Sequence, residues 1–138
     1  MAFVHGKSAV FKLDNASGSL VDYSTYLDDI GFPRDVETAE TTTFGVAGSA
    51  KTYITGLSDA TISVSGKFDA TADATLSAVV GQAATLTFEY GPEGSSAGKV
   101  KYTGECILTS YEVSASVGDV VTASLDFQVT GQITRTTF

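Results

Sequence analysis

Val121-Thr122-Ala123-Ser124-Leu125-Asp126-Phe127-Gln128-Val129-Thr130-Gly131-Gln132-Ile133 is the longest alternating run in the chain. Val121, Ala123, Leu125, Phe127 and Val129 fall on one side of it, and Thr122, Ser124, Asp126, Gln128 and Thr130 on the other. An apolar–polar period of two is the pattern of a strand with one buried and one wet face. Just upstream, Ile107–Val117 repeats it, with Ile107, Tyr111, Val113, Ala115 and Val117 set against Ser110, Glu112, Ser114 and Ser116. Two long strands this close in sequence predict an antiparallel hairpin, turning within Val117-Gly118-Asp119-Val120-Val121.

The turn decides what faces what. A two-residue turn at Gly118-Asp119 pairs Val117 with Val120 and sets Ala115 opposite Thr122, which mixes the faces. A three-residue loop, Gly118–Val120, pairs Val117 with Val121 and keeps both apolar sets together, so the pattern selects it. Tyr111 is then expected opposite Phe127, and Val113 opposite Leu125. On the polar face Ser116 meets Thr122, Ser114 meets Ser124, and Glu112 meets Asp126. Like charges directly opposite are destabilising, and no Lys or Arg lies between Cys106 and Ile133. Two readings of this hydroxyl-rich, acidic face stay open: a solvated outer surface, or a wall that repels something negative.

Further strands are expected at Ser8–Leu13, Val36–Thr43, Tyr53–Leu57, Thr61–Phe68, Ala84–Tyr90 and Val100–Leu108, with Gly91–Gly98 as a hairpin loop. In Thr61–Phe68 the apolar side is Ile62, Val64, Gly66 and Phe68. Helical spacing occurs twice. Tyr23, Leu27 and Ile30 predict a helix over Ser24–Ile30, capped by Asp22 or Ser24 and ended by Gly31. Ala72, Leu76, Val79 and Val80 predict another over Ala72–Val80, with Thr71 as N-cap and Gly81 beyond it. Helices of two or three turns do not persist alone, so both must lie on the sheet. The fold class is mainly β: a single-domain β-sandwich or barrel over residues 1–138, with one or two short flanking α-helices. Thr43–Lys51 (TFGVAGSAK) reads as a long projecting loop.

Composition narrows the function. The 138 residues carry 8 Lys+Arg against 16 Asp+Glu, a formal charge of −8, and 19 Thr with 15 Ser make about a quarter of the chain. With 43% apolar residues and 14 aromatics the chain is no solvated coil. A nucleic-acid clamp needs a basic face to displace counterions from phosphate, which this balance does not supply. The single cysteine, Cys106, allows no intrachain disulfide and reads as a small buried hydrophobe. MAFVHGKSAVF holds no apolar stretch of signal-peptide length, and no run approaches the ~20 apolar residues of a membrane span. A soluble protein made in a reducing cytoplasm is expected.

Catalytic chemistry finds no foothold. His5 is the only histidine and lies near the N-terminus, so a Ser-His-Asp or Cys-His site has no base in place. Asp28-Asp29 has no ligand partners near it in sequence and is expected to be solvated or to face another subunit. The Gly91–Gly98 stretch lacks the spacing of a phosphate-binding loop. No cofactor, metal or enzyme activity is expected.

Several segments in succession resemble the tail tube (major tail) proteins of long-tailed bacteriophages. They are Leu13-Asp14-Asn15 with Ala16–Gly18, the segment Tyr23–Ile30, Glu37–Gly45 (ETAETTTFG) leading to Lys51, and Ile54–Asp59 (ITGLSD). Ile62–Asp69 (ISVSGKFD) and the closing Val129–Arg135 (VTGQITR) complete the series. Each is short, but together they span nearly the whole chain in order. His5 and Phe138 belong to none of them.

The resemblance implies a structural virion protein of the phage tail, made in the host cytoplasm. It would polymerise as stacked, hexameric rings into a tube through which DNA passes to the host without specific binding. Strands from each subunit would be shared in a ring-closed barrel around the lumen. Ser110, Glu112, Ser114, Ser116, Thr122, Ser124, Asp126 and Gln128 would then face that lumen. Thr43, Phe44, Gly45, Val46 and Lys51 would belong to a loop reaching a neighbouring ring. Phe44 is either its anchor or a residue packed beneath its own loop. Partners would be further copies of the chain together with tail tape-measure and tail-terminus proteins. The alternative is a monomeric acidic β-sandwich that binds carbohydrate or protein, which would need an exposed aromatic platform; the chain has no Trp.

Overall fold

A computed structural model describes residues 3–138. Met1 and Ala2, which begin the stretch read for a targeting signal, lie outside them. The described elements are β1 (Val10–Asp14), β2 (Leu20–Asp22), β3 (Leu27–Gly31), β4 (Arg34–Glu40), β5 (Tyr53–Lys67), α1 (Ala70–Val79), β6 (Leu86–Gly91), β7 (Val100–Ser114) and β8 (Thr122–Thr137). The strands run in the order β2-β1-β6-β7-β8-β5-β3, and β4 pairs with the first half of β5. The chain is mainly β, as expected. In place of two stacked sheets, one antiparallel sheet curls into a half-barrel around its own apolar face.

The alternating residues fill that concave face. Ala123, Leu125, Phe127 and Val129 of β8 are buried, as are Ile62 and Val64 of β5, Leu86 and Phe88 of β6, Cys106 and Leu108 of β7, and Phe11 and Leu13 of β1. Each large apolar side chain so buried contributes on the order of 1.5–3 kcal/mol. The Phe11 and Phe127 rings lie 5.8 Å apart. The helix α1 adds Ala72, Leu76 and Val79 to the same cluster. Its N-cap is Asp69, two residues before the expected Thr71, and Asp69 Oδ2 accepts from the backbone N–H groups of Thr71 and Ala72 at 3.0 and 3.1 Å. Phe138, assigned to no motif, rests its ring against Gly91 between the Lys12 and Lys101 ammoniums, 5.8 and 5.3 Å from its centroid.

The helix expected over Ser24–Ile30 is absent; Leu27–Gly31 is strand β3, laid along β5 with Ile30 opposite Val64. The capping signal was real, because Asp22 Oδ1 accepts from Ser24 N–H at 2.9 Å, but it stabilises a turn at Ser24–Tyr26. Leu27 and Ile30 reach the core as strand residues, and a ladder on β5 outweighs the marginal propensity of so short a helix. Where this crossing is tightest, Gly66 of β5 opposes Leu27, and a Cβ at Gly66 would lie 2.0 Å from the Tyr26 carbonyl oxygen. The backbone of residues 26–27 thus occupies the space of a side chain.

From Tyr111 onward the long hairpin has the predicted faces and a different register. Ile107, expected on the apolar side, lies opposite Gln128 on the polar side, because the irregularity between Leu108 and Ser110 inverts the alternation. Tyr111 pairs with Leu125 and Val113 with Ala123, two residues away from the expected partners, and residues 115–121 form a longer turn. Ser116 therefore leaves the ladder for the turn, where its hydroxyl lies 3.4 Å from Asp119 Oδ2. A slip of two preserves which face every residue occupies, so alternation cannot detect it. The strands expected separately at Tyr53–Leu57 and Thr61–Phe68 are one strand, as are Val100–Leu108 and Ile107–Val117.

Candidate functional site

Four adjacent strands, β7-β8-β5-β3, present their polar sides together on the convex face of the sheet. Cross-strand pairing arranges them in rows. Ser114, Thr122 and Lys67 form one row; Glu112, Ser124, Ser65 and Asp29 the next; Ser110, Asp126, Ser63 and Gly31 a third. Gln128 follows, opposite Thr61 and Ile107. Of the eight residues expected on one polar wall, seven share this face and Ser116 lies in the turn beyond it. Ser110, Glu112, Ser114, Ser124 and Asp126 are exposed, whereas Thr122 and Gln128 are half-buried.

Glu112 and Asp126 do not stand opposite one another, which corrects the expected carboxylate pair. Glu112 faces Ser124 and Asp126 faces Ser110. Each acid is met by a hydroxyl: Ser63 Oγ donates to Asp126 Oδ1 at 3.0 Å, and Ser114 Oγ to Glu112 Oε1 at 3.1 Å. Gln128 Nε2 donates to Asp59 Oδ1 at 2.7 Å and to the Ala60 carbonyl at 3.1 Å. The face is not purely acidic, because β5 brings in Lys67, but that ammonium is already 2.9 Å from Asp28 Oδ2. Asp29, Glu112 and Asp126 keep no cationic partner among the described residues.

A second surface projects from the sheet. β4 and the first half of β5 form an arm whose residues are exposed along its whole length until Ala60. Its neck is tied by the Thr41 and Thr52 hydroxyls at 2.9 Å, by Thr52 N–H donating to Thr42 Oγ1 at 2.9 Å, and by Lys51 Nζ at 3.7 Å from Glu40. The tip is the Thr43–Lys51 loop. Phe44 is fully exposed there, which excludes packing beneath its own loop. Val36, Tyr53, Ile54 and Leu57 add exposed apolar area along the arm, far more than scattered surface residues need.

Burial pushes the Cys106 thiol up to about 12, with the Glu105 and Asp14 carboxylates adding to the shift, so it carries no thiolate near neutrality. The His5 ring accepts from Lys7 N–H through Nδ1 at 3.1 Å. No cluster of His, Cys, Asp and Glu suited to a metal occurs among the described residues, and no described helix is long and apolar enough to cross a membrane.

The sequence profile of the phage tail tube proteins matches residues 4–135, almost the entire chain. This chain belongs to the phage tail tube protein family. As a tail tube protein it is a structural component of the virion. Solved structures share its fold. The tail of an empty gene transfer agent particle, determined with C6 symmetry, superposes with a TM-score of 0.82 at 21% identity over 97% of this chain and 99% of that one. The SPP1 tail tube gives 0.68 at 16% identity over 98% and 80%. A sheath–tube complex of an extracellular contractile injection system gives 0.65 at 8% identity over 98% and 92%. No curated protein sequence matches significantly.

For a tail tube protein two features matter that the sequence reading missed. One is β3, read as a helix, which places Asp28 and Asp29 on the polar face. The other is the length of the arm: the loop was expected, but the pattern gave no sign that Val36, Ile54 and Leu57 would be left outside the core. Their alternation is that of ordinary half-buried strands, and what was missing is a covering layer.

Proposed function

We propose that residues 1–138 act as one unit that assembles with further copies into rings, and that the rings stack into a tube through which DNA leaves the virion. The carrying observation is the polar face of β7-β8-β5-β3, a ribbon of hydroxyls and unpaired carboxylates with its one ammonium already neutralised. A basic wall would hold DNA through its phosphates and release counterions on doing so. An acidic, hydroxylated wall repels the backbone and lets it slide. Ser110, Glu112, Ser114, Thr122, Ser124, Asp126 and Gln128 therefore line the bore, with Ser116 at its rim. Six copies per ring is the reading supported by the symmetry of the gene transfer agent tail. The protein has no catalytic role.

The Thr43–Lys51 loop, with Thr43, Phe44, Gly45, Val46 and Lys51, reaches to the neighbouring ring. Its support is a fully exposed aromatic at the end of an arm that has no core of its own; such side chains commonly dominate interfaces when a partner pocket receives them. Tape-measure and tail-terminus proteins would meet the tube inside and at its end. Negative-stain microscopy of the concentrated protein tests the assembly. Rings or tubes of uniform bore are expected, and a monomer at every concentration and salt would overturn the reading.

A further inference from the structure

The β7–β8 hairpin carries different chemistry at its two ends. At the open end Tyr102 pairs with Arg135. The Tyr102 ring stacks on Tyr90 at 6.3 Å and meets Phe32 edge-on at 5.8 Å. Arg34, the first residue of β4, holds its guanidinium 5.4 Å above the same ring. Phe32, Arg34, Tyr90 and Tyr102 together line an open pocket at this end of the sheet. Arg34 and Arg135 are exposed, and neither joins an ion pair among the described residues. At the closed end the turn over residues 115–121 projects beyond the last rung, Ser114 with Thr122. Val117 and Val120 are exposed on it, and Asp119 between them has only the Ser116 hydroxyl near its carboxylate.

The two ends are complementary. Between Ile107 and Gln132 the only charges are Glu112, Asp119 and Asp126, whereas Lys99, Lys101 and Arg135 lie at the open end. Asp35 and Asp59 pair with each other on the rung next to Arg34, and neither forms an ion pair with it. A guanidinium stacked on a ring keeps its N–H fork free for a carboxylate. The direction of the arm fits as well. It leaves the sheet at Ala60, which pairs with Arg34, and runs away from Lys67, which pairs with Thr122 beside the turn. The arm base and the aromatic pocket therefore share one end of the subunit, and the turn occupies the other. In a stack whose arms all point the same way, every pocket end faces the turn end of the next ring.

We infer that the turn of one subunit seats in the aromatic pocket of a second copy in the adjoining ring, with Asp119 on Arg34 and the two valines against Phe32 and Tyr102. The inference rests on the stacked rings proposed above and adds an axial contact separate from the Thr43–Lys51 loop. It gives the stack a polarity, since a cationic end meets an acidic one and like ends repel. Each ion pair is exposed before contact, weak singly and sensitive to salt. Repeated once per subunit around a ring, the pairs act together.

Two charge reversals, Arg34→Glu and Asp119→Arg, test it in the whole protein by mixing. Both sites are exposed, so each variant is expected to form rings. Neither is expected to stack alone, because the first brings two acids together at every junction and the second two cations. Equal amounts of both are expected to form tubes, read by sedimentation and electron microscopy. The turn of the first variant then meets the intact pocket of the second, and the two reversed ends meet each other. The milder Asp119→Asn is expected to raise the concentration at which tubes appear by about tenfold and to flatten its dependence on salt. Tubes formed by either reversal alone as readily as by the unmodified protein would overturn the contact and leave the ring reading standing. So would a mixture no better than its parts while Asp119→Asn assembles normally. Failure of the unmodified protein to form rings or tubes at all would overturn both.

Discussion

Glu112 and Asp126 are diagonal neighbours on the β7–β8 hairpin, each directly across from a serine, Ser124 and Ser110 respectively. The arrangement separates the two acids while keeping both on one face, so the repulsion between them is weak and their combined field points outward. Hydroxyls bonded to each carboxylate hold that field in place without neutralising it.

Replacing both acids with lysine, Glu112→Lys with Asp126→Lys, should therefore change function more than stability. Both sites are exposed, and surface substitutions of this kind usually alter stability by about 0.5 kcal/mol or less. Virions carrying the pair are expected to eject DNA slowly or incompletely, with the defect easing as salt rises. Ejection at the normal rate, followed by dye uptake at low salt, would show that this face does not meet DNA.

Gly66→Ala should be among the most damaging single-methyl changes in the molecule. The new Cβ would meet the Tyr26 carbonyl oxygen and the Leu27 Cα at 2.0 and 2.6 Å, both backbone atoms that no rotamer change can move. Overpacking of this type costs about 1–3 kcal/mol and at times more. Urea denaturation should show the midpoint falling sharply, and β3 should detach first. An unchanged midpoint would mean that β3 does not cross β5 so closely.

Alkaline pH should weaken the fold partly through Cys106. Burial raises its thiol from an ordinary 9.0 to about 12, so the folded state keeps the proton that the unfolded chain releases. The contribution of this group is whole below about pH 9 and declines as pH rises from about 9 to about 12. Tyrosines raised by burial, Tyr23 and Tyr90, act in the same direction, so the measurement is a difference. Stability curves of the wild type and Cys106→Ala should converge across this window. Parallel curves would count against a buried neutral thiol.

Phe44→Ser should separate ring formation from stacking. The side chain has no contact to lose within its own subunit, so thermal stability should hold. Sedimentation should show rings in place of tubes, and micrographs should show short stacks. Tubes of normal length would place the inter-ring contact elsewhere on the arm.

The long hairpin shows how far pattern reading reaches. Apolar and polar sides of β8, and of β7 from Tyr111 onward, were legible because alternation reports the face of each residue directly; Ile107 was misplaced because the irregularity between Leu108 and Ser110 inverts the alternation. The register was not, since a two-residue slip leaves every face unchanged and only the turn conformation over residues 115–121 decides it. Ser24–Ile30 failed for a different reason: Leu27 and Ile30 suit a helical stripe and a bulged strand equally, and the choice is made by β5, thirty-odd residues away. Phe44 lay at the limit. Its loop could be read from small residues and glycines, but its exposure depends on the absence of a covering layer, which no local pattern encodes.

The opposed directions of β3 and β7 have a consequence for the width of the tube. A ribbon with an even number of antiparallel strands joins its own copy at a junction of the same kind as those inside it. Strand parity therefore places no restriction on how many copies close a circle. The width of a closed circle then follows from how many strands it contains and how far they tilt from its axis.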